Sequence, residues 1–273
     1  MYPSLQAVKD LLSNAKSIVV FTGAGVSVES GLPTYSDTNG LWQLHNPDEV
    51  ASCEAFSQDP YKVWDWHGKL LDAMRQATPN PAHLAIAAME SSFDQVTVIT
   101  QNIDGLHQRA GSSNVIELHG NIFSLKGFCD IRQANEIANL DDLPPSCPVC
   151  MGCNKPEFEW DLTATREGLS PLERAPSRIP RCPCCNGLLR PDIVWFGEAL
   201  NPRILDAAWQ AADQCDALIT VGASLQVSPA RDLPFRAKRL KKIVIEVNTS
   251  ETEFTHKADL SFRNAASYLN QII

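Results

Sequence analysis

Three groups of residues in this 273-residue chain have types and spacing suited to chemistry. The first is an apolar run, Val19, Val20, Phe21 and Thr22, that enters a glycine turn, Gly23, Ala24 and Gly25, followed by Val26 and Ser27. Glycines there let the backbone approach a pyrophosphate, and a helix starting from about Ser27 would add partial positive charge. Val28 stands where a dinucleotide fingerprint has its third glycine, and no acidic residue follows a second strand about 20 residues on. The turn alone therefore leaves two readings open, a phosphate cradle and a tight strand–helix turn without a ligand. The second group follows two further apolar runs. Gln101, Asn102 and Asp104 come directly after residues 96–100, and His119 and Gly120 come directly after residues 115–118. Ligands of open α/β sheets bind beyond the carboxyl ends of strands, which makes these polar residues site candidates. A histidine titrates near neutral pH, so His119 suits a general base, with a hydrogen-bonded structural histidine as the alternative. That structural reading is kept for His45, His67, His83, His107 and His256. The third group is a CxxC pair, Cys147 and Cys150, separated by 31 residues from a second, Cys182 and Cys185. Paired thiolates at this spacing are the ligand set of a tetrahedral Cys₄ zinc site, the alternative being buried free thiols.

The elements that would hold these groups are visible as periodicity. Runs at residues 17–22, 96–100, 115–118, 217–221 and 243–247 are rich in β-branched residues and nearly continuous in hydrophobicity. Strands buried on both faces of a parallel sheet have this pattern. Helical patterns at 5–15, 83–90, 203–214 and 229–240 lie between them, which predicts an α/β fold, a Rossmann-like parallel sheet. Two stretches interrupt the alternation and predict small inserted modules, a helical one over about 34–80 and a zinc-binding one over about 123–190. A structureless loop as long as the second would be unusual in a compact domain.

Composition narrows the classes. Hydrophobic residues make up 44% and charged residues 20%, an ordinary globular balance. The formal net charge of -9 argues against a nucleic-acid partner. No apolar run approaches the ~20 residues that cross a bilayer, so no membrane partner is expected. Residues 1–4 show no basic segment leading into an apolar one, which predicts a cytoplasmic location. Of the 9 cysteines, six fall between Cys147 and Cys185, a clustering unlike a disulfide framework. Cys53 and Cys215 read as core residues. The run Arg236, Lys238, Arg239, Lys241 and Lys242 reads as a solvated helix end, where cations favour the dipole. The sequence leaves the oligomeric state open.

The first turn continues into GAGVSVESGLPTYSD at residues 23–37, which resembles the sirtuin signature GAGxSxxSGIPxFR. Further matches follow in order: TQNIDGLHQRAG (100–111), ELHGN (117–121), LRPDIVWFGE (189–198), VGASLQV (221–227) and VNTS (247–250). The resemblance covers nearly the whole chain, and the WFGE form is most similar to the class III sirtuins. It implies an NAD-dependent protein-lysine deacylase, which cleaves the nicotinamide–ribose bond and moves the acyl group of a lysine onto ADP-ribose. By that similarity His119 would be the base that activates a ribose hydroxyl toward the acyl-imidate intermediate. Asn102 would position the nicotinamide-side ribose and water, Asp104 with Ile103 would hold the nicotinamide carboxamide, and Gln101 would contact the ribose. Gly23, Ala24, Gly25 and Ser27 would line the phosphates, and Gly222, Ala223 and Ser224 would form a second wall. Asn248, Thr249 and Ser250 would sit at the adenosine ribose, and Ala266 near adenine. The backbone of residues 194–197, through Val194, Phe196 and Gly197, together with the segment after Ser224, would clasp an acyl-lysine peptide by β-augmentation.

The resemblance also implies a structural zinc. The stretch from Cys185 to Pro191 is similar to the sirtuin CGGxLRP knuckle, which supports the second cysteine pair. The first is less settled: Cys129 stands where the family places its first cysteine, but Arg132 stands where its partner should be, and Cys153 and Cys184 are further ligand candidates. Two departures bear on function. Tyr35 and Ser36 replace the Phe-Arg end of the signature, whose arginine contacts NAD. The Tyr-x-x-Arg pair by which acidic-acyl sirtuins grip a carboxylate reads His67 and Leu70 here, with His67 or Lys69 as the basic groups left for such a substrate. Acetyl or longer apolar acyl groups are therefore expected over succinyl. An ADP-ribosyltransferase or NAD hydrolase, and a non-catalytic NAD-sensing module, stand as the competing functions.

Overall fold

The computed structural model describes residues 5–34, 46–128, 179–180, 188–264 and 266–272. Its strands in chain order are β1 (Ser17–Thr22), β2 (Gln95–Thr100), β3 (Val115–Glu117), β4 (Gly120–Gly127), β5 (Leu189–Ile193), β6 (Ala217–Val221), β7 (Ile243–Asn248) and β8 (Leu260–Arg263). The chain divides into two compact units. One holds Met1–Asp37, Ala77–His119 and Leu200–Ile273, and the other holds Thr38–Gln76 and Gly120–Ala199.

The first unit contains a six-stranded sheet, all parallel, in the order β3-β2-β1-β6-β7-β8. The chain starts in the middle, builds outward through β2 and β3, then returns to the other side of β1 with β6. The order reverses between β1 and β6, and at such a switch point the loops leaving the strands part and open a crevice. The continuous apolar runs have a direct cause. Ile18 and Val20 enter one core with Val98, Ile219, Ile245 and Ile86 of the helix Pro81–Ala88, while Val19 and Phe21 enter a second core with Ile99, Leu218, Val244 and Ala208 of the helix Pro202–Gln214. Successive side chains of a strand point to opposite faces, and here both faces are covered.

Helix starts follow their capping residues. Asn201 caps Pro202–Gln214 by accepting from the Arg203 amide, with proline in the first turn. Asn80 forms a capping box with His83 at the start of Pro81–Ala88. The helix expected from about Ser27 starts earlier, as a 3₁₀ segment over Ala24–Ser30 that ends at Gly31 in the left-handed region. β8 was not foreseen.

In the second unit, the helices Pro47–Val50, Cys53–Gln58 and Pro60–Gln76 pack with an antiparallel pair, β4 and β5. Val63, Trp64, Trp66, Leu70 and Leu71 of the long helix are buried. Trp64 Nε1 donates to the Leu189 carbonyl at 3.1 Å, fixing that helix to β5. The zinc candidates Cys147, Cys150, Cys182 and Cys185, the further cysteines Cys129, Cys153 and Cys184, and the Tyr35–Ser36 departure lie outside the described residues. Among the described residues no helix is long and apolar enough to cross a membrane.

Candidate active site

The first unit gathers its polar candidates where β1, β2 and β6 end. Gly23 and Gly25 follow β1, and Gly222 follows β6. The Gly25 amide donates to the Gly222 carbonyl at 2.9 Å, and the Gly23 amide to the Val221 carbonyl at 3.3 Å. A Cβ on Gly25 would sit 2.7 Å from the Gly222 oxygen, and a Cβ on Gly222, whose φ is +59°, would sit 2.3 Å from the Val26 nitrogen. Only glycine lets the two turns close on each other. Between them Ala24 is exposed. The next turn is tied in as well: the Gly222 amide donates to the Val247 carbonyl at 3.0 Å, and Asn248 Nδ2 to the Ala223 carbonyl at 2.9 Å. Leu225, buried and at φ +56°, holds a backbone conformation that β-carbon residues rarely adopt, next to Ser224.

Asn102 and Asp104 lie on the loop after β2, and both are buried. Ser27, reached from the 3₁₀ segment, joins them. Its hydroxyl donates to Asp104 Oδ2 at 2.7 Å and accepts from Asn102 Nδ2 at 3.0 Å. Asp104 Oδ1 accepts from the amide of Leu106, the first residue of the short helix Leu106–Arg109, at 2.9 Å. The Asn102 amide donates to Thr100 Oγ1 at 3.0 Å. Gln101 is beside them, and its buried Nε2 lacks a partner among the described residues. A buried donor without an acceptor carries a free-energy cost that a bound hydroxyl or phosphate would remove. This orphan donor and the all-glycine approach fit a nucleotide with a pyrophosphate and a ribose.

His119 follows β3 and is half-buried. Its Nδ1 lies 2.9 Å from the Gln101 carbonyl. A carbonyl only accepts, so Nδ1 carries the proton and Nε2 keeps its lone pair. Burial pushes the ring's pKa down, against the opposing pull of that carbonyl. The ring is therefore neutral at pH 7 with a basic nitrogen of fixed identity, as a general base requires.

Ala266 is buried at the start of a 3₁₀ turn, and the next residue is tied to the phosphate-turn segment: Glu29 accepts from the Ser267 amide and hydroxyl at 2.9 and 2.8 Å. Thr249 and Ser250 follow β7 on the surface, while Ile103 lies in the Asn102 loop.

In the second unit, residues 194–197 follow β5. The Phe196 amide donates to the Ala51 carbonyl at 3.0 Å, and the Trp195 amide to Glu198 Oε2 at 2.8 Å. Glu198 also pairs with Arg190, whose guanidinium lies 3.9 Å from the Trp195 ring centroid, and it accepts from the Cys53 thiol at 3.2 Å. Burial raises the Glu198 carboxyl, but Arg190 and Lys126 outweigh it and hold the group below its ordinary value. Phe196 is 44% exposed and Gly197 adopts φ +80°, so this segment presents an aromatic side chain on a rigidly supported backbone.

The structure gives His67 a supporting task. It is buried, Nδ1 donates to the Val63 carbonyl at 2.7 Å, and Nε2 accepts from Trp195 Nε1 at 3.1 Å. Both nitrogens are engaged, so the ring as it stands offers no donor to an acyl carboxylate. Sequence reasoning also missed Thr22 and Thr100. Their positions at the carboxyl ends of neighbouring apolar runs were the available signal.

A Sir2 family model matches residues 23–229. The chain belongs to the Sir2 family. It is 39% identical over 259 residues to NAD-dependent protein deacylase 1 of Caldanaerobacter subterraneus, covering 94% of this chain and 93% of the relative. It is 40% identical over 252 residues to the NAD-dependent protein deacylase of Aquifex aeolicus, covering 92% and 91%. Among solved structures, a Sir2 homolog–NAD complex matches with a TM-score of 0.78 at 36% identity, covering 99% of this chain and 93% of that one. A Sir2–p53 peptide–NAD complex matches with a TM-score of 0.71 at 28% identity, covering 98% and 96%. The parallel sheet and its glycine crevice are thus the Sir2 fold expected from the sequence.

Proposed function

We propose that this Sir2-family chain is an NAD-dependent protein-lysine deacylase. It transfers the acyl group of a modified lysine to ADP-ribose and releases nicotinamide and free lysine. The observation that carries the reading is His119: its proton is pinned on Nδ1 by the Gln101 carbonyl, from the same loop that holds Asn102 and Asp104. A module that only bound NAD would have no need of a neutral base with a fixed bare nitrogen.

NAD supplies the labile glycosidic bond and the ribose hydroxyls that receive the acyl group. The chain's residues hold and orient. Gly23, Ala24 and Gly25 face Gly222, Ala223 and Ser224 as phosphate walls. Gln101 Nε2 is the donor for the ribose. Asn102 and Asp104, locked by Ser27, hold the nicotinamide end in one orientation. Loss of nicotinamide builds positive charge on the ribose, and fixed dipoles and placement stabilise this more than a strong acid would. His119 Nε2 then takes a proton from a ribose hydroxyl. Asn248, Thr249 and Ser250 serve the adenosine ribose, and Ala266 the adenine. Val194, Phe196 and Gly197 form the edge that receives an extended acyl-lysine peptide. A structural zinc on Cys147, Cys150, Cys182 and Cys185 completes the assignment. With Leu70 buried in its helix and His67 spent on Trp195, acetyl is the preferred acyl group over succinyl.

The test is to incubate the protein with NAD, with and without an acetyl-lysine peptide, and to follow nicotinamide and acetyl-ADP-ribose. Peptide-dependent release of both, lost in His119→Ala, is the expected result. Release without peptide would assign an NAD hydrolase or ADP-ribosyltransferase instead. No release from the wild type would leave a binding module. In a peptide panel, faster turnover of succinyl than acetyl would overturn the acyl preference.

A further inference from the structure

Two buried imidazoles lie beneath the Asn102 loop, and nothing in the proposed chemistry uses them. His83, from the helix Pro81–Ala88, and His107, from Leu106–Arg109, are 0% and 1% exposed, with ring centroids 4.9 Å apart. Each has one ring nitrogen without a partner among the described residues: Nε2 of His83 and Nδ1 of His107.

The remaining contacts fix the His83 tautomer and tie that of His107 to the Thr22 hydroxyl. His83 Nδ1 accepts the Asn80 amide at 3.3 Å, so a neutral His83 carries its proton on Nε2. Thr22 Oγ1 lies 2.8 Å from Thr100 Oγ1 and 2.9 Å from His107 Nε2; when the Thr22 hydroxyl donates to Thr100, the ring must donate to Thr22. His107 is then the Nε2–H tautomer and its bare Nδ1 is an acceptor. The two orphans are then one donor and one acceptor on adjacent rings, a pair that a single water would satisfy. In the other arrangement Thr22 donates to the ring and both orphans become donors, which a single water would have to accept together.

The chain of bonds continues to the site. Thr22 and Thr100 are register partners in β1 and β2, and Thr100 Oγ1 also receives the Asn102 amide. Asn102 is held by its backbone from below and by Ser27 at its carboxamide. We propose that His107, donating from Nε2 to Thr22, is a positioning residue for nicotinamide release, acting through the Thr22–Thr100 hydroxyl pair on the Asn102 loop. The inference rests on the deacylase reading for its kinetic consequence, but the chain of contacts from His107 to Asn102 stands on geometry alone.

Two measurements test it. Ring ¹⁵N spectra of histidine-labelled protein should show His107 as the Nε2–H tautomer, with a mixture of tautomers in Thr22→Val. A wild-type Nδ1–H His107 would overturn the proposal. In steady-state kinetics, Thr22→Val and His107→Phe should each lower kcat on the order of tenfold, the scale of one buried hydrogen bond, with KM for NAD within about threefold. The double variant should be no worse than the worse single variant. Thr22→Ser, which restores the hydroxyl, should recover most of the lost rate. Additive losses, or wild-type kcat in a folded Thr22→Val, would refute positioning through this chain. Should His107→Phe fail to fold, His107→Gln takes its place in the cycle. A wild type that turns over no NAD strikes the deacylase reading, and the ring spectra still decide whether the bonded chain exists.

Discussion

Acid should destabilise this protein well above the pH at which its carboxylates protonate, and His67 provides a measurable share. Burial lowers its pKa from 6.5 to about 4. In the unfolded chain the ring binds a proton below pH 6.5, while in the folded chain it does so only near 4. The unfolded state therefore holds more protons in this window, and stability falls as pH falls through it. The full contribution, present above pH 6.5, is about 3 kcal/mol, of which about 2 kcal/mol is lost by pH 5. His107, lowered by burial and then by His83 to about 3, has the same sign and a similar loss over that range. Glu198 and Glu246 are held below their ordinary values, against the opposing effect of burial, so their contributions fade only at lower pH. The assay is equilibrium urea unfolding at pH 8, 7, 6 and 5, read by tryptophan fluorescence and far-UV circular dichroism. His67→Gln keeps an acceptor for Trp195 Nε1 but cannot titrate. The variant should be less stable than wild type at pH 8, and the gap should narrow by about 2 kcal/mol at pH 5. Any acid lability of a cysteine metal site is common to both proteins and cancels in that difference. A constant gap from pH 8 to pH 5 would refute the assignment of a neutral, buried His67.

Three other perturbations separate the parts of the site. Ser27→Ala removes the acceptor for Asn102 and the donor to Asp104 in one step, and kcat/KM should fall roughly 10- to 100-fold with the fold retained by circular dichroism. Gly25→Ala puts a methyl 2.7 Å from the Gly222 oxygen, so the turns must part, and KM for NAD should rise on the order of tenfold while far-UV circular dichroism is unchanged. Metal analysis of the purified protein should give about one zinc per chain, and Cys182→Ser should lose it; less than about half an equivalent in the wild type would remove the zinc assignment.

The parts of the fold that were legible in the sequence are those whose burial is two-sided. β1, β6 and β7 carry apolar residues at nearly every position because each strand feeds both cores, and a continuous run needs no partner to be recognised. β8 has four residues on the sheet edge, with Ser261 and Arg263 turned to Glu246 instead of to a core, so its pattern is not apolar. β5 carries Arg190, Pro191 and Asp192, which argue against a strand when read locally. Only pairing with β4 and the Arg190–Glu198 ion pair make it one. The 3₁₀ start at Ala24 was equally hidden, because it follows from the close approach of Gly222, nearly 200 residues away in the chain.

The same distinction separates the parts of the site. The places of Asn102, Asp104 and His119 beyond strand ends were readable because each follows an apolar run, and ligands of parallel sheets bind beyond such ends. What orients them was not readable. The proton on His119 is assigned by a backbone carbonyl, and Ser27 becomes the clamp of Asn102 only when two strand ends come together. His67 makes the point in reverse. Its place on a helix, in line with a substrate-gripping motif, made it a plausible contact for an acyl group, whereas its bonds to Val63 and Trp195 commit it to supporting the segment beside Phe196. Residue type and spacing therefore select which groups can react, and buried hydrogen bonds between distant segments decide in which protonation state, and at what angle, they are presented.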